Sequence, residues 1–261
     1  MAELNIGVKV ESLAGDIREA IRLAPRIGAD GIEINSVGGV LSADSLSKSA
    51  RRELVGFIAK NSLRTCALRG DLGVEYADPS QTGFVVDRMR RIVDTSVDLG
   101  VSTVTTGIGA IPSEESLRQR ATIIEALREI GNYALNYGCL LAVEAGNEEP
   151  CVLRTLADEL GNGGVKVGFN PGLLMVSGFD PLLGVRNLGQ YIIYSYASDA
   201  IVEGKDIQHV DPGEGQVDFE SILAAMYEAG YHGFHTICCE GGIDVVSRTA
   251  RCIQFLRQFH L

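Results

Sequence analysis

The chain has 261 residues and a formal net charge of −11, from 23 Lys and Arg against 34 Asp and Glu. Hydrophobic residues make up 46 % and proline occupies only seven positions, which excludes a disordered chain and allows a sizeable core. The acidic balance, without a Lys/Arg cluster, argues against nucleic-acid binding, and no apolar run approaches the ~18 residues that a membrane span needs.

Met1-Ala-Glu-Leu shows no positive region followed by an apolar run, so no signal peptide is expected. Six cysteines (66, 139, 151, 238, 239 and 252) lie mostly inside apolar runs without C-x-x-C spacing. They read as reduced core thiols of a cytoplasmic protein.

Residues 4–10 read as a strand, and residues 15–27 as a helix with Ile17, Ala20, Ile21 and Ala24 on one face. A strand follows at 31–35, a helix at 45–60 and a strand at 63–68, leading into the polar loop Arg69-Gly-Asp71. A helix at 84–99 ends at Gly100, a normal stop. After a strand at 101–106, Ser113-Glu-Glu suits a helix start, and that helix runs to 137. The fifth strand, 139–144, is an apolar run ending on Glu144, then Ala145 and Gly146. A helix at 150–160, a strand at 165–170, a short helix at 181–188 and a strand at 191–196 follow. Beyond a long loop come a helix at 218–229, a strand at 233–240 ending on Glu240 and Gly241, and a last helix at 243–259.

Eight strand–helix alternations without a linker predict an α/β fold, a single (β/α)8 barrel over residues 1–261. No Gly-x-Gly-x-x-Gly follows a strand, and Gly213-Glu-Gly215 reads as a turn leading into a helix. In such a barrel the working residues stand at the C-terminal strand ends. Those ends are Lys9 or Glu11, Glu33, Asp71, Thr105, Glu144, Asn170, Tyr196 and Glu240, with Asp199 just beyond the seventh strand. Two strands that each end on Glu then Gly bring two carboxylates to one rim. Adjacent Cys238 and Cys239 point to opposite faces and read as core. His235 comes too early in its strand to reach the rim.

The segments Leu141-Ala-Val-Glu144-Ala-Gly146, Val167-Gly-Phe-Asn-Pro-Gly172, Tyr191-Ile-Ile-Tyr-Ser-Tyr-Ala-Ser-Asp199 and Pro212-Gly-Glu-Gly-Gln-Val-Asp-Phe219 make the chain similar to the xylose isomerase-like barrels, a family of sugar isomerases and epimerases. The resemblance implies a divalent metal ion (Mn²⁺, Mg²⁺ or Co²⁺) held by Glu, Asp, His and Glu from strands five to eight. It also implies two glutamates that shuttle a proton between adjacent carbons. By position, Glu144 and Glu240 match those glutamates as catalytic residues, and Glu144, Asn170 and Glu240 as metal ligands. Asn170 stands for the usual Asp and Tyr196 for the usual His, so two of the four expected ligands are replaced. An Asn carbonyl can ligate a hard cation but adds no charge, and a phenol with a pKa near ~10 is a poor ligand at neutral pH.

Glu33, Asp71, Tyr196 and His209 are the expected substrate contacts. The expected activity is isomerisation or epimerisation of a small carbohydrate-like or hydroxy-keto compound. The alternative is a ligand-binding member of the same family without metal. Neither a nucleic-acid nor a membrane partner is expected, and a homo-oligomer is left open.

Overall fold

The computed structural model describes residues 3–145, 148–161, 163–204, 206–239 and 242–259. Eight parallel strands close into a barrel. They are β1 (Asn5–Lys9), β2 (Gly31–Asn35), β3 (Arg64–Arg69), β4 (Thr103–Thr106), β5 (Leu140–Ala145), β6 (Val165–Phe169), β7 (Ile192–Ala197) and the last barrel strand, β10 (Phe234–Ile237). Around the barrel the order is β1-β10-β7-β6-β5-β4-β3-β2, so the first and last strands pair and no edge remains. Outside it run α1 (Val10–Leu13), α2 (Ile17–Arg26), α3 (Lys48–Lys60), α4 (Thr82–Asp98), α5 (Leu117–Asn136), α6 (Pro150–Leu160), α7 (Pro171–Val176), α8 (Pro181–Leu188), α9 (Phe219–Glu228) and α10 (Val245–Leu256). None of the described helices is long and apolar enough to cross a membrane.

The expected alternation is present, and its punctuation follows from local chemistry. Carboxylates of Asp16, Asp180 and Asp218 accept backbone N–H bonds at the starts of α2, α8 and α9, and proline opens α6, α7 and α8. Gly100, Gly138 and Gly230 take the left-handed backbone just past α4, α5 and α9, where a side chain would be strained. Several expectations need correction, among them the last barrel strand, which stops at Ile237 rather than at 240, and the first, which gives way to α1 at Val10. Helix α5 begins at Leu117 rather than at 113; the Ser113 and Ser116 hydroxyls bond each other, and Ser116 caps no backbone group. The long loop after β7 is an antiparallel hairpin, β8 (Asp199–Glu203) and β9 (Asp206–Val210). Residues 171–176 form α7, a short helix absent from the expected elements.

Two tyrosines of β7 fill the barrel interior. Tyr194 and Tyr196 meet edge to face at 5.1 Å between centroids and pack against Cys66, Ala67 and Ala142. Glycines on β1 and β2 leave room in the interior. A Cβ on Gly7 would lie 2.5 Å from Thr236 Oγ1, and one on Gly31 would lie 2.7 Å from the Phe234 ring. The apolar core proper lies between the strands' outer faces and the helices. Of the six cysteines, 66, 139, 239 and 252 are buried as expected, whereas Cys151 is exposed on α6 and Cys238 is half-buried.

Candidate active site

A cavity of about 300 Å³ opens at the C-terminal mouth of the barrel. Its lining includes Lys9, Arg69, Glu144, Asn170, His209 and Arg248. A wider groove of about 670 Å³ lies outside, between α6, α8 and α9, but no strand end reaches it. The mouth is where charged side chains from β1, β3 and β5 converge, and there the site is placed.

Glu144 is half-exposed at the end of β5. Its Oε1 accepts a hydrogen bond from Asn170 Nδ2 at 2.6 Å. Asn170 also caps α7, accepting from Leu173 N at 3.1 Å on Oδ1, and the same oxygen accepts from Ser198 Oγ at 2.5 Å. A backbone N–H can only donate, so Leu173 fixes which end of the amide is which. The Asn170 carbonyl is therefore engaged with two donors, and its N–H, not a lone pair, faces Glu144. Glu240 lies outside the described residues.

Tyr196 is 2 % exposed, and its hydroxyl donates to Glu33 Oε1 at 3.0 Å. Thr105 Oγ1 donates to the same atom at 3.1 Å. Glu33 is 1 % exposed, and its Oε2 is buried with no hydrogen-bond partner. Burial pushes the Glu33 carboxyl above the ordinary range, against the opposing pull of Lys9 and Arg69. Glu33 and Tyr196 thus form a buried pair inside the barrel and are not part of the cavity lining.

The described members of the expected metal set do not fit a divalent ion as they stand. Asn170 presents a donor toward Glu144, and the phenol at the histidine position is spent on Glu33.

The positive charge in the mouth comes from β1, β3 and α10, outside strands five to eight of the expected ligand set. Lys9 extends from β1 and sits 5.6 Å from the centre of the Tyr196 ring. Arg69, at the end of β3, bonds Asp71 Oδ2 at 3.0 Å, and Asp71 Oδ1 accepts from Gly73 N at 3.1 Å. Asp71 is thus a support for Arg69 and is not part of the cavity lining. Burial alone would lower the Arg69 pKa, but Tyr196, Glu33, Glu144 and Asp71 outweigh it and hold it above its ordinary value. Arg248 of α10 grips Asp211 with two bonds, Nε to Oδ2 at 2.7 Å and Nη2 to Oδ1 at 2.5 Å.

His209 lies on β9, exposed, with the cavity beside it. The hairpin that brings it there hangs on Asp199, which is 1 % exposed and accepts four backbone N–H bonds, from Ala200, Val217, Gly213 and Gly215, at 2.8–3.0 Å. The Gly213-Glu-Gly215 turn is accordingly tied to a protein carboxylate. Cys238 faces the cavity and Cys239 faces α10, with its Sγ 3.3 Å from Cys252 Sγ. The opposite-faces expectation describes this pair, although one face belongs to the site. His235 is buried near the other end of the barrel, with Nδ1 3.1 Å from Ser195 Oγ.

Lys9 stands among the expected strand-end residues, but Arg69 appears in the sequence only as part of a polar loop, and Arg248 and Ser198 carry no signal of their own there. The basic residue on which β3 ends is the clue that could have found Arg69.

Residues 21–258 match the sequence model of a family described as xylose isomerase-like TIM barrel. Among solved structures, a xylose isomerase domain protein from Planctomyces limnophilus aligns with a TM-score of 0.84 at 18 % identity, over 97 % of this chain and 95 % of that one. D-allulose 3-epimerase from Methylomonas sp., in complex with D-allulose, aligns at 0.79 and 18 %, over 100 % and 98 %. A xylose isomerase-like TIM barrel protein from Mycobacterium smegmatis, in complex with magnesium, aligns at 0.78 and 16 %, over 98 % and 96 %. At these identities the likeness is one of fold. No curated protein matches the chain.

Proposed function

The chain belongs to the xylose isomerase-like TIM barrel family, and from that premise we propose that it isomerises or epimerises a small carbohydrate-like or hydroxy-keto compound. The observation that supports this most is Glu144, an oriented and half-exposed carboxylate in a barrel-mouth cavity with cationic side chains around it. Glu144 takes a proton from the carbon next to the carbonyl, and Glu240, by its place after β10, serves as the second proton carrier. Asn170 holds the Glu144 carboxylate in one orientation through its amide N–H. His209 contacts substrate hydroxyls from the hairpin side. Glu33, Tyr196 and Asp71 act from behind the lining, by fixing the floor and Arg69. The magnesium and D-allulose of the related structures are properties of those proteins.

The test is proton exchange. The protein is incubated in D₂O with a panel of unphosphorylated ketoses and hydroxy-ketones, and loss of the C–H signal next to the carbonyl is followed by NMR. Glu144→Gln should slow exchange by about 10²–10⁴-fold, the usual contribution of a positioned acid–base group. A protein that binds a member of the panel without exchanging any proton would be the ligand-binding alternative, and isomerisation would be abandoned.

A further inference from the structure

The family resemblance implies a divalent cation at strand ends five to eight, and in this chain the described residues there do not accept one. The question is what replaces the charge. Asn170 turns an N–H to Glu144, and its carbonyl is engaged by Leu173 N and Ser198 Oγ. The Tyr196 hydroxyl is bonded to Glu33, below the cavity lining. Meanwhile three cationic side chains line the same cavity as Glu144: Arg248, which is paired with Asp211, and Lys9 and Arg69. In the ring of eight strands, β1 lies four places from β5, so Lys9 stands across the mouth from Glu144. Arg69 stands two places from β5, held by Asp71, and its side chain is 27 % exposed. A small molecule in the cavity therefore meets Glu144 on one wall and Lys9 and Arg69 on others.

We propose that Arg69 and Lys9 supply, from the chain itself, the charge that holds the substrate's oxyanion, and that the site works without a divalent ion. The inference takes the proton-transfer reading as its setting. In the step concerned, a C–H bond breaks toward a carboxylate. Its electron pair forms a C=C bond, and the carbonyl π pair moves onto oxygen, which becomes negatively charged. Arg69 and Lys9 hold that oxygen with charge-assisted hydrogen bonds. A proton is then delivered either to the neighbouring carbon, while the hydroxyl proton on the first carbon passes to the oxyanion and that C–O becomes the new carbonyl, or to the first carbon from the other face, while the original carbonyl re-forms. Atoms and electrons balance without oxidant, reductant or co-reactant.

The experiment uses the full chain in EDTA and titrates oxalate, a planar dianion with the O–C–C–O frame of an enediolate, by calorimetry. Binding should be present in EDTA. It should weaken by about ten- to hundredfold in Arg69→Gln and in Lys9→Gln, the effect of removing one hydrogen-bonding partner to a charged group. Arg69→Lys should recover part of the loss, and thermal melts confirm that each variant is folded. In parallel, free Mn²⁺ is followed by electron paramagnetic resonance, and wild type should leave the signal unchanged at equimolar metal. Two results would overturn the inference: stoichiometric Mn²⁺ uptake that Glu144→Gln abolishes, or oxalate binding that needs Mn²⁺ or ignores both cation substitutions. The D₂O exchange assay reports separately on isomerisation. Oxalate binding with no exchange would leave the charge assignment standing and remove the activity.

Discussion

At the scale of single residues, Glu33 is the place where the chain departs furthest from ordinary surface chemistry. Its carboxyl is enclosed by the barrel, with one oxygen accepting from Tyr196 and Thr105 and the other unpartnered. Burial is the largest influence on it and raises its pKa, while Lys9 and Arg69 pull the other way. The sign of the stability effect follows. Below the ordinary carboxylate pKa near ~4.3, Glu33 is protonated folded or unfolded and costs nothing. As pH rises through the raised folded value, the unfolded chain ionises more readily than the folded one, and stability is lost. Glu33→Gln removes that loss while keeping an acceptor for Tyr196 and Thr105. Urea melts of both proteins should coincide near pH 4, and the variant should become the more stable as pH rises toward 8. A gap independent of pH would mean that Glu33 titrates alike in both states. The residue scale is also where sequence reading stopped short. Glu144 was legible because it ends an apolar strand. Glu33 was legible as a strand-end carboxylate, but its burial was not, because that depends on Tyr196 reaching across from a strand 163 positions away. Asn170 is legible in the sequence as a candidate ligand. Its cap to Leu173 and its bond from Ser198 are three-dimensional facts that decide which atom faces Glu144.

At the scale of elements, strands and most helices followed from apolar periodicity, glycine stops and proline starts. The hairpin after β7 did not, because its outer strand is almost wholly exposed and shows no buried alternation to read. What holds it is one side chain. Asp199 collects four backbone N–H groups from its own strand and from the turn at 213–217. The fit is close, since a Cβ on Gly215 would stand 2.3 Å from Asp199 Oδ1. That turn also follows Asp211, which anchors Arg248 at the cavity. Asp199→Ala should therefore cost about 3–5 kcal/mol, because it strands several donors that charged oxygens had satisfied and only some can be rehydrated. Chemical denaturation measures the loss. A change below 1 kcal/mol would mean that the turn holds itself without the carboxylate.

At the scale of the whole molecule, the barrel must join its first strand to its last, and the lock on the side away from the site is Arg257. Its Nη1 donates to Leu4 O at 2.5 Å, and its Nη2 to Asp30 Oδ2 at 2.7 Å and Gly28 O at 3.2 Å. Asp30 in turn accepts from Ile6 N at 2.8 Å, so one arginine at the end of α10 ties the start of β1 to the turn before β2. Alternation of elements predicted closure, but no local pattern marks Arg257 as a residue that ties the last helix to the first strand, since its partners lie 227–253 positions away. The pairing of β1 with β10 links segments near opposite ends of the chain, so its loop-closure cost must be met by contacts at the seam. The Arg257–Asp30 pair is about one-third exposed, which places Arg257→Ala at roughly 1–3 kcal/mol rather than at the cost of a buried pair. The loss should also be local. Amide hydrogen exchange should speed up in β1 and β10 before it changes in β4 and β5, on the far side of the ring. Uniform acceleration across all eight strands would instead mean that the barrel opens as a single unit and that the seam has no separate stability to lose.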